Sequence, residues 1–225
     1  MIRAAAGWAM AFMVAASAAA GGSPAAQRPT HGRLFPPRLF PPEDLSILES
    51  PDRDEWQQPD RIMDALLIRD GSRVADLGAG GGWFTIRLAR RVGPNGIVYA
   101  EDIQRLMIES IERRVADERL TNVVTVLGTA DDPRLPPGLD AVLIVDAFPQ
   151  FQDPVTVLRH AATALSPRGR LGIVDFKKDG AGGPGPQLDE RVDSAIVKKD
   201  AEEAGLRLAA EQSLRYQYLL VFARR

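Results

Sequence analysis

Four glycines stand among the five residues from Gly78 to Gly82, directly behind an apolar run that carries one acid, Asp76. Glycine lets a ligand approach the main chain where a Cβ would otherwise stand, and the free amides of a helix starting there favour electron-rich groups. The next apolar run ends in Glu101-Asp102, about 20 residues beyond the glycines, where a carboxylate can accept both hydroxyls of a ribose. Loop and acid together point to a ligand that contains a nucleoside; a bare strand-to-helix turn is the reading that needs no ligand. A dinucleotide loop needs glycine at its sixth position for close helix packing, and counting from Gly78 that position is Trp83. A nicotinamide-dependent oxidoreductase is therefore favoured by Asp102 and opposed by Trp83.

Composition removes other chemistries. The 225 residues contain no cysteine, which excludes disulfides, thiolate metal sites and cysteine nucleophiles. The two histidines, His31 and His160, share no metal-ligand spacing, so no metal is expected, and His160 reads as an ordinary residue of a helical run. A net charge of -2 gives no broad basic footprint, so no nucleic-acid partner is expected. With 45% hydrophobic and 26% charged residues, the chain has ordinary globular usage and the length for one core.

The elements that must position these residues alternate along the chain. Ile62, Met63, Leu66 and Leu67 give residues 54–68 the one-sided spacing of an amphipathic helix. A strand over 73–77 follows, then a helix over 83–92 stopped by Gly93-Pro94-Asn95-Gly96, a strand over 97–101 and a helix over 103–118. Strands over 122–127 and 140–148, a helix over 154–165 and a fifth strand over 170–176 continue the series. Such alternation predicts an α/β fold, a doubly wound and mostly parallel sheet with helices on both faces. Beyond a stretch rich in glycine and proline, 177–187, come a helix within 191–205 and two strands, 206–212 and 216–223, spaced so closely that they must pair antiparallel. Ligands of open parallel sheets sit beyond the carboxyl ends of the strands, where the glycines lie. The stretch 177–187 leaves the same end and is the expected lid.

On these motifs the sequence resembles the class I S-adenosylmethionine-dependent methyltransferases over about residues 54–225, most specifically in VADLGAGGGWFT (74–85) and GIVYAEDI (96–103). The resemblance implies a Rossmann-like seven-stranded sheet with an antiparallel C-terminal strand. It also implies S-adenosylmethionine as cofactor and methyl transfer to a small-molecule acceptor, which the sequence leaves unidentified. By the same resemblance, Gly78, Gly80 and Gly82 pass under the amino-acid part of the cofactor, and Asp76 orients that loop and the ammonium group. Asp102 takes the ribose, with Glu101 as the alternative register, and Ala130 and Asp131 take the adenine. Asp146 falls where cofactor and acceptor meet and is the candidate catalytic residue. Asp131 and Asp132 read equally as turn caps. Where some related sequences carry an aromatic followed by histidines, this chain has Phe148-Pro149-Gln150, and Arg168 replaces a usual glycine in the turn before the fifth strand.

Methyl transfer from a sulfonium leaves a neutral thioether, so the reaction needs positioning and no general acid. A base is required only for an acceptor that carries a proton; Asp146 is best placed, with Glu190 and Tyr216 behind it. The alternative from another class is an exported, non-catalytic protein that keeps the fold to bind a ligand.

Residues 1–20 read as a signal peptide, with Arg3, an uncharged apolar stretch and a small-residue end before Gly21. They imply export to a periplasm or medium without a stable membrane span after cleavage; a membrane anchor through 4–20 is the competing reading. Residues 21–45, rich in proline and glycine, carry the doubled unit RLFPPRLFPP and read as an extended tether to a domain over 46–225. Nothing in the sequence fixes the oligomeric state.

Overall fold

The computed structural model describes residues 39–179 and 183–225. The leader and residues 21–38 of the tether lie outside the described residues. Seven strands form one sheet: β1 (Arg73–Leu77), β2 (Ile97–Asp102), β3 (Val123–Leu127), β4 (Leu139–Val145), β5 (Leu165–Phe176), β6 (Leu206–Ser213) and β7 (Gln217–Arg224). Their order is β3-β2-β1-β4-β5-β7-β6, parallel throughout except that β7 runs antiparallel to both neighbours. The doubly wound α/β architecture is the expected one, and the closing pair does form antiparallel. That pair is a hairpin at the edge of the sheet, with β7 seated between β5 and the outermost strand β6.

Alternate residues of the central strands feed two cores. In β4, Val142 and Ile144 pack with Leu158, Ala161 and Val197 of α5 (Pro154–Ala164) and α6 (Ser194–Glu203). Ala141 and Leu143 pack on the opposite face with Ile62 and Leu88 of α2 (Pro59–Ala65) and α3 (Trp83–Val92). Both faces of a parallel sheet are thus buried, as its near-continuous apolar strands require. A third cluster seats Ile108 and Ile111 of α4 (Arg105–Asp117) over Ala100 of β2.

Several boundaries differ from the periodicity reading; the strand expected over 140–148 ends at Val145, and Phe148–Gln150 forms a 3-10 helix. The helix expected over 54–68 is two: α1 (Arg53–Gln57) ends where Gln58 turns left-handed, at φ 54° and ψ 58°, and α2 begins at Pro59. Pro59 has no amide to donate and disfavours the helical conformation of the residue before it. The turn before the fifth strand falls inside β5, which begins at Leu165: Leu165 pairs with Leu139 and Arg170 with Ala141, so residues 166–169, Arg168 among them, bulge from the ladder. Finally, the tether ends earlier than residue 45. Pro42–Leu48 forms a 3-10 helix, and Leu39, Phe40 and Leu45 line a cavity. Their apolar side chains have a surface to cover, which a proline-rich composition by itself does not reveal.

Candidate active site

The order of connection reverses between β1 and its neighbours β2 and β4, both parallel to it. Crevices for ligands open at such a reversal, beyond the carboxyl ends of the strands. A cavity of about 180 Å3 lies there, walled by Asp76, Gly78, Gly80, Asp102, Ala130 and Asp146, the ends of β1, β2 and β4 and the loops that leave them. Arg53, Trp83, Glu101 and Phe151 also line it.

Each glycine of the loop does something different. Gly78 has φ +73°, and a Cβ on it would stand 2.6 Å from the Ala147 Cβ, so both backbone and packing demand glycine. Gly80 is also left-handed, yet a Cβ there would meet nothing within 4 Å, because the position faces open cavity. Gly82 does not line the cavity. It caps α3 at φ +79° and lets α4 approach, with Ile111 Cγ1 only 3.2 Å from where a Cβ would stand. The close helix packing that a dinucleotide loop assigns to a sixth residue is thus made by the fifth. Trp83 is free to take its own role, part of the cavity wall with the Arg53 and Arg87 guanidinium carbons 4.2 and 3.4 Å from its ring centroid.

Carboxylates dominate the charge of this wall. Asp76 is buried and accepts from the Thr85 hydroxyl at 2.6 Å, so it is tied to the first turn of α3. Burial pushes it up to about 6 against that bond. Asp102 accepts from the Gly80 amide at 3.0 Å and the Gln104 amide at 2.8 Å; burial raises it too, and these amides oppose the rise. Glu101 also reaches the loop, accepting from the Gly78 amide at 3.2 Å, and burial pushes it up to about 8. The two acids thus meet the loop at different amides. The strand ends at Asp102, and both side chains accept from glycine amides of the loop.

Asp146 follows β4 with a left-handed backbone, φ +56°, a conformation that costs a non-glycine residue about 1 to 2 kcal/mol. The strain aims its side chain at the cavity, where burial pushes it up to about 6, opposed first by Arg53. Arg53 Nη2 lies 3.8 Å from Asp146 Oδ2, and Arg53 Nη1 donates to the Leu48 carbonyl at 2.6 Å. Burial lowers the Arg53 pKa, and Asp146 is the main charge resisting that.

The structure separates two residues of the adenine pair. Ala130 lies at the rim of the cavity, whereas Asp131 is exposed and lines none of it. Its neighbour Asp132 takes the turn role, accepting from the Arg134 amide at 2.8 Å while the Thr129 hydroxyl accepts from the Asp132 amide. The expected lid is displaced as well. None of the described residues of 177–187 lines the cavity; Gly183 and Gly185 lie against the Tyr216 and Phe176 rings. The cover comes from the other terminus. Phe40 donates its amide to Gln150 Oε1 at 2.9 Å and accepts from Gln104 Nε2 at 3.0 Å, so one residue bridges both rims.

Sequence reasoning missed Arg53 and the role of Gln57. The signal was Pro59: it breaks the amphipathic helix, so that α1 need not follow the face set by Ile62 and Met63.

A family model described as a methyltransferase domain matches residues 68–224. The chain is 33% identical over 114 residues to nocamycin O-methyltransferase of Saccharothrix syringae, covering 50% of this chain and 41% of that protein. It is 30% identical over 118 residues to demethylmenaquinone methyltransferase of Geobacillus sp. (strain WCH70), covering 52% of this chain and 50% of that one. The chain therefore spans about half the length of these curated relatives. Among solved structures it is similar to a SAM-dependent methyltransferase from Aquifex aeolicus, at 26% identity and a TM-score of 0.77 over 82% of this chain and 98% of the other.

Proposed function

Because this chain belongs to the methyltransferase-domain family, we propose that it transfers a methyl group from S-adenosylmethionine to a small-molecule acceptor. The observation that carries this reading is the cavity at the β1/β4 reversal, where a glycine loop lies against buried carboxylates. Asp76, Glu101 and Asp102 are each raised by burial, and positive charge brought by a ligand beside them would favour their ionised forms. A sulfonium compound with an ammonium group supplies such charge, and the open space over Gly80 gives it room beside the main chain. The residues present fit the group.

When bound, S-adenosylmethionine supplies an electrophilic methyl on a leaving group that departs neutral. Asp102 would hold the ribose, Asp76 and the loop of Gly78 and Gly80 the amino-acid portion, and Ala130 the edge of the base. Arg53, a buried cation beside the loop, suits the carboxylate of that portion. Gly82 acts through helix packing, and Asp131 has no place in the cavity. Asp146 is the group positioned to accept a hydrogen bond from the acceptor. Apolar wall residues, among them Leu45, Leu48, Phe151 and Val157, exclude water and suit an acceptor with a hydrophobic body.

The relatives named above act on small molecules by their names, which supports the same class for this chain. Calorimetry with S-adenosylhomocysteine and with NAD tests the cofactor, followed by an acceptor screen with a methyl-labelled donor. Binding of S-adenosylhomocysteine and not of NAD is expected. Binding of NAD alone would overturn the reading.

A further inference from the structure

Asp146 is tied to Arg53 twice. Besides the direct approach of 3.8 Å, a chain of buried side chains joins the two. Arg53 Nε donates to Gln57 Oε1 at 2.6 Å, Gln57 Nε2 donates to Gln217 Oε1 at 2.8 Å, and Gln217 Nε2 donates to Asp146 Oδ1 at 2.6 Å. The two glutamines are fully buried, at 0% exposure, and neither lines the cavity. They come from α1 and from the first residue of β7, and they meet Asp146 just beyond β4.

The direction of this chain is set by chemistry. A guanidinium has donors only, so Gln57 must turn its oxygen to Arg53 and its NH2 onward. Gln217 must then accept from Gln57 and present its own NH2 to Asp146. The chain ends with a donor facing Oδ1, an arrangement that favours a carboxylate and would set a protonated Oδ1 hydroxyl against another donor. Two buried amides are costly unless paired, and apolar residues could fill the same space without that requirement. Packing alone therefore does not account for a polar chain that terminates on a cavity residue.

The charged groups facing this assembly come from every side of it. Arg53 on α1 opposes the effect of burial on Asp146, as do the side-chain amides of Gln57 and Gln217, and Asp76 on β1, Arg87 on α3 and Glu49 before α1 act on Arg53 in turn. The Asp146 side chain retains 23% exposure, and Oδ1 is taken by Gln217. We infer that Gln57 and Gln217 are positioning residues that hold Asp146 ionised and fix its Oδ1, leaving Oδ2 to accept the proton of an acceptor whose nucleophile is a hydroxyl or an N–H group. This rests on the methyltransferase reading and deepens it. The proton leaves the acceptor's O–H or N–H bond and ends on Oδ2; the neutral thioether takes none.

The relay is tested without any acceptor. Side-chain carboxyl carbons of aspartate are labelled with 13C, and the Asp146 resonance is identified by its loss in Asp146→Asn. Its titration midpoint in the wild-type protein is expected near 6. In Gln217→Leu and in Gln57→Leu, each of which removes an amide that holds the Asp146 carboxylate down, the midpoint should rise by about one pH unit or more. Gln217→Met serves if the leucine variant does not fold, and folding is checked by near-UV circular dichroism. Midpoints unmoved in folded variants would overturn the inference. Calorimetry of the wild-type protein with S-adenosylhomocysteine separates the two readings: lost binding with a shifted titration sinks the methyltransferase reading alone.

Discussion

Glu101→Gln should make the ligand-free protein more stable near neutral pH, and the size of the gain follows from where the side chain sits. Glu101 is 2% exposed and accepts one amide, from Gly78 at 3.2 Å. Burial pushes its pKa from 4.5 up to about 8, with Asp102, Asp76 and Asp132 adding like charge in the same direction. Between those two values the folded protein binds more protons than the unfolded chain, so stability is full below about 4.5 and is lost as pH rises to about 8. At ~1.36 kcal/mol per unit, that interval sets a ceiling of about 5 kcal/mol. Glutamine keeps an oxygen for the Gly78 amide and has no charge to bury. Asp76 and Asp146, each raised to about 6, make the wild type and the variant lose stability together at lower pH. Urea unfolding from about pH 6 to 8 should then show the wild type falling about 1.4 kcal/mol per pH unit more steeply than the variant. Parallel curves across that range would refute the reasoning.

Asp102→Ala should weaken S-adenosylhomocysteine binding about 10- to 100-fold in calorimetry, the effect of losing charge-assisted bonds of about 1.5 to 3 kcal/mol, while Asp131→Ala leaves it unchanged. Gly82→Ala should cost about 1 to 2 kcal/mol in urea unfolding, because it places a Cβ on a left-handed residue against Ile111. Removing the rim bonds to Phe40 with Gln104→Ala and Gln150→Ala together should speed dissociation of S-adenosylhomocysteine about tenfold in stopped-flow fluorescence. Processing of the leader is read by N-terminal sequencing of protein from its native host, with a start at or near Gly21 expected and an intact Met1 in soluble protein contradicting export.

Local pattern made much of this fold legible in the chain itself. The strand Arg73–Leu77 and the helix Trp83–Val92 have the bounds that their periodicity and flanking glycines indicate. Asp76, Gly78, Gly80, Asp102, Ala130 and Asp146 all line one cavity, as their places at strand ends require of a parallel sheet. These inferences work because hydrophobic spacing and glycine conformations act over a few residues. What the fold alone decided depends on which strands become neighbours. Gln57 meets Gln217 across 160 residues, and Gln217 meets Asp146 across 71, only because β7 inserts beside β5. Gly82 serves helix packing because α4 crosses it at Ile111, and residues 39–48 cover the cavity because its rims offer Gln104 and Gln150 to Phe40. No local pattern encodes such meetings, since each joins side chains whose distance is set by the order of strands and not by their separation along the chain.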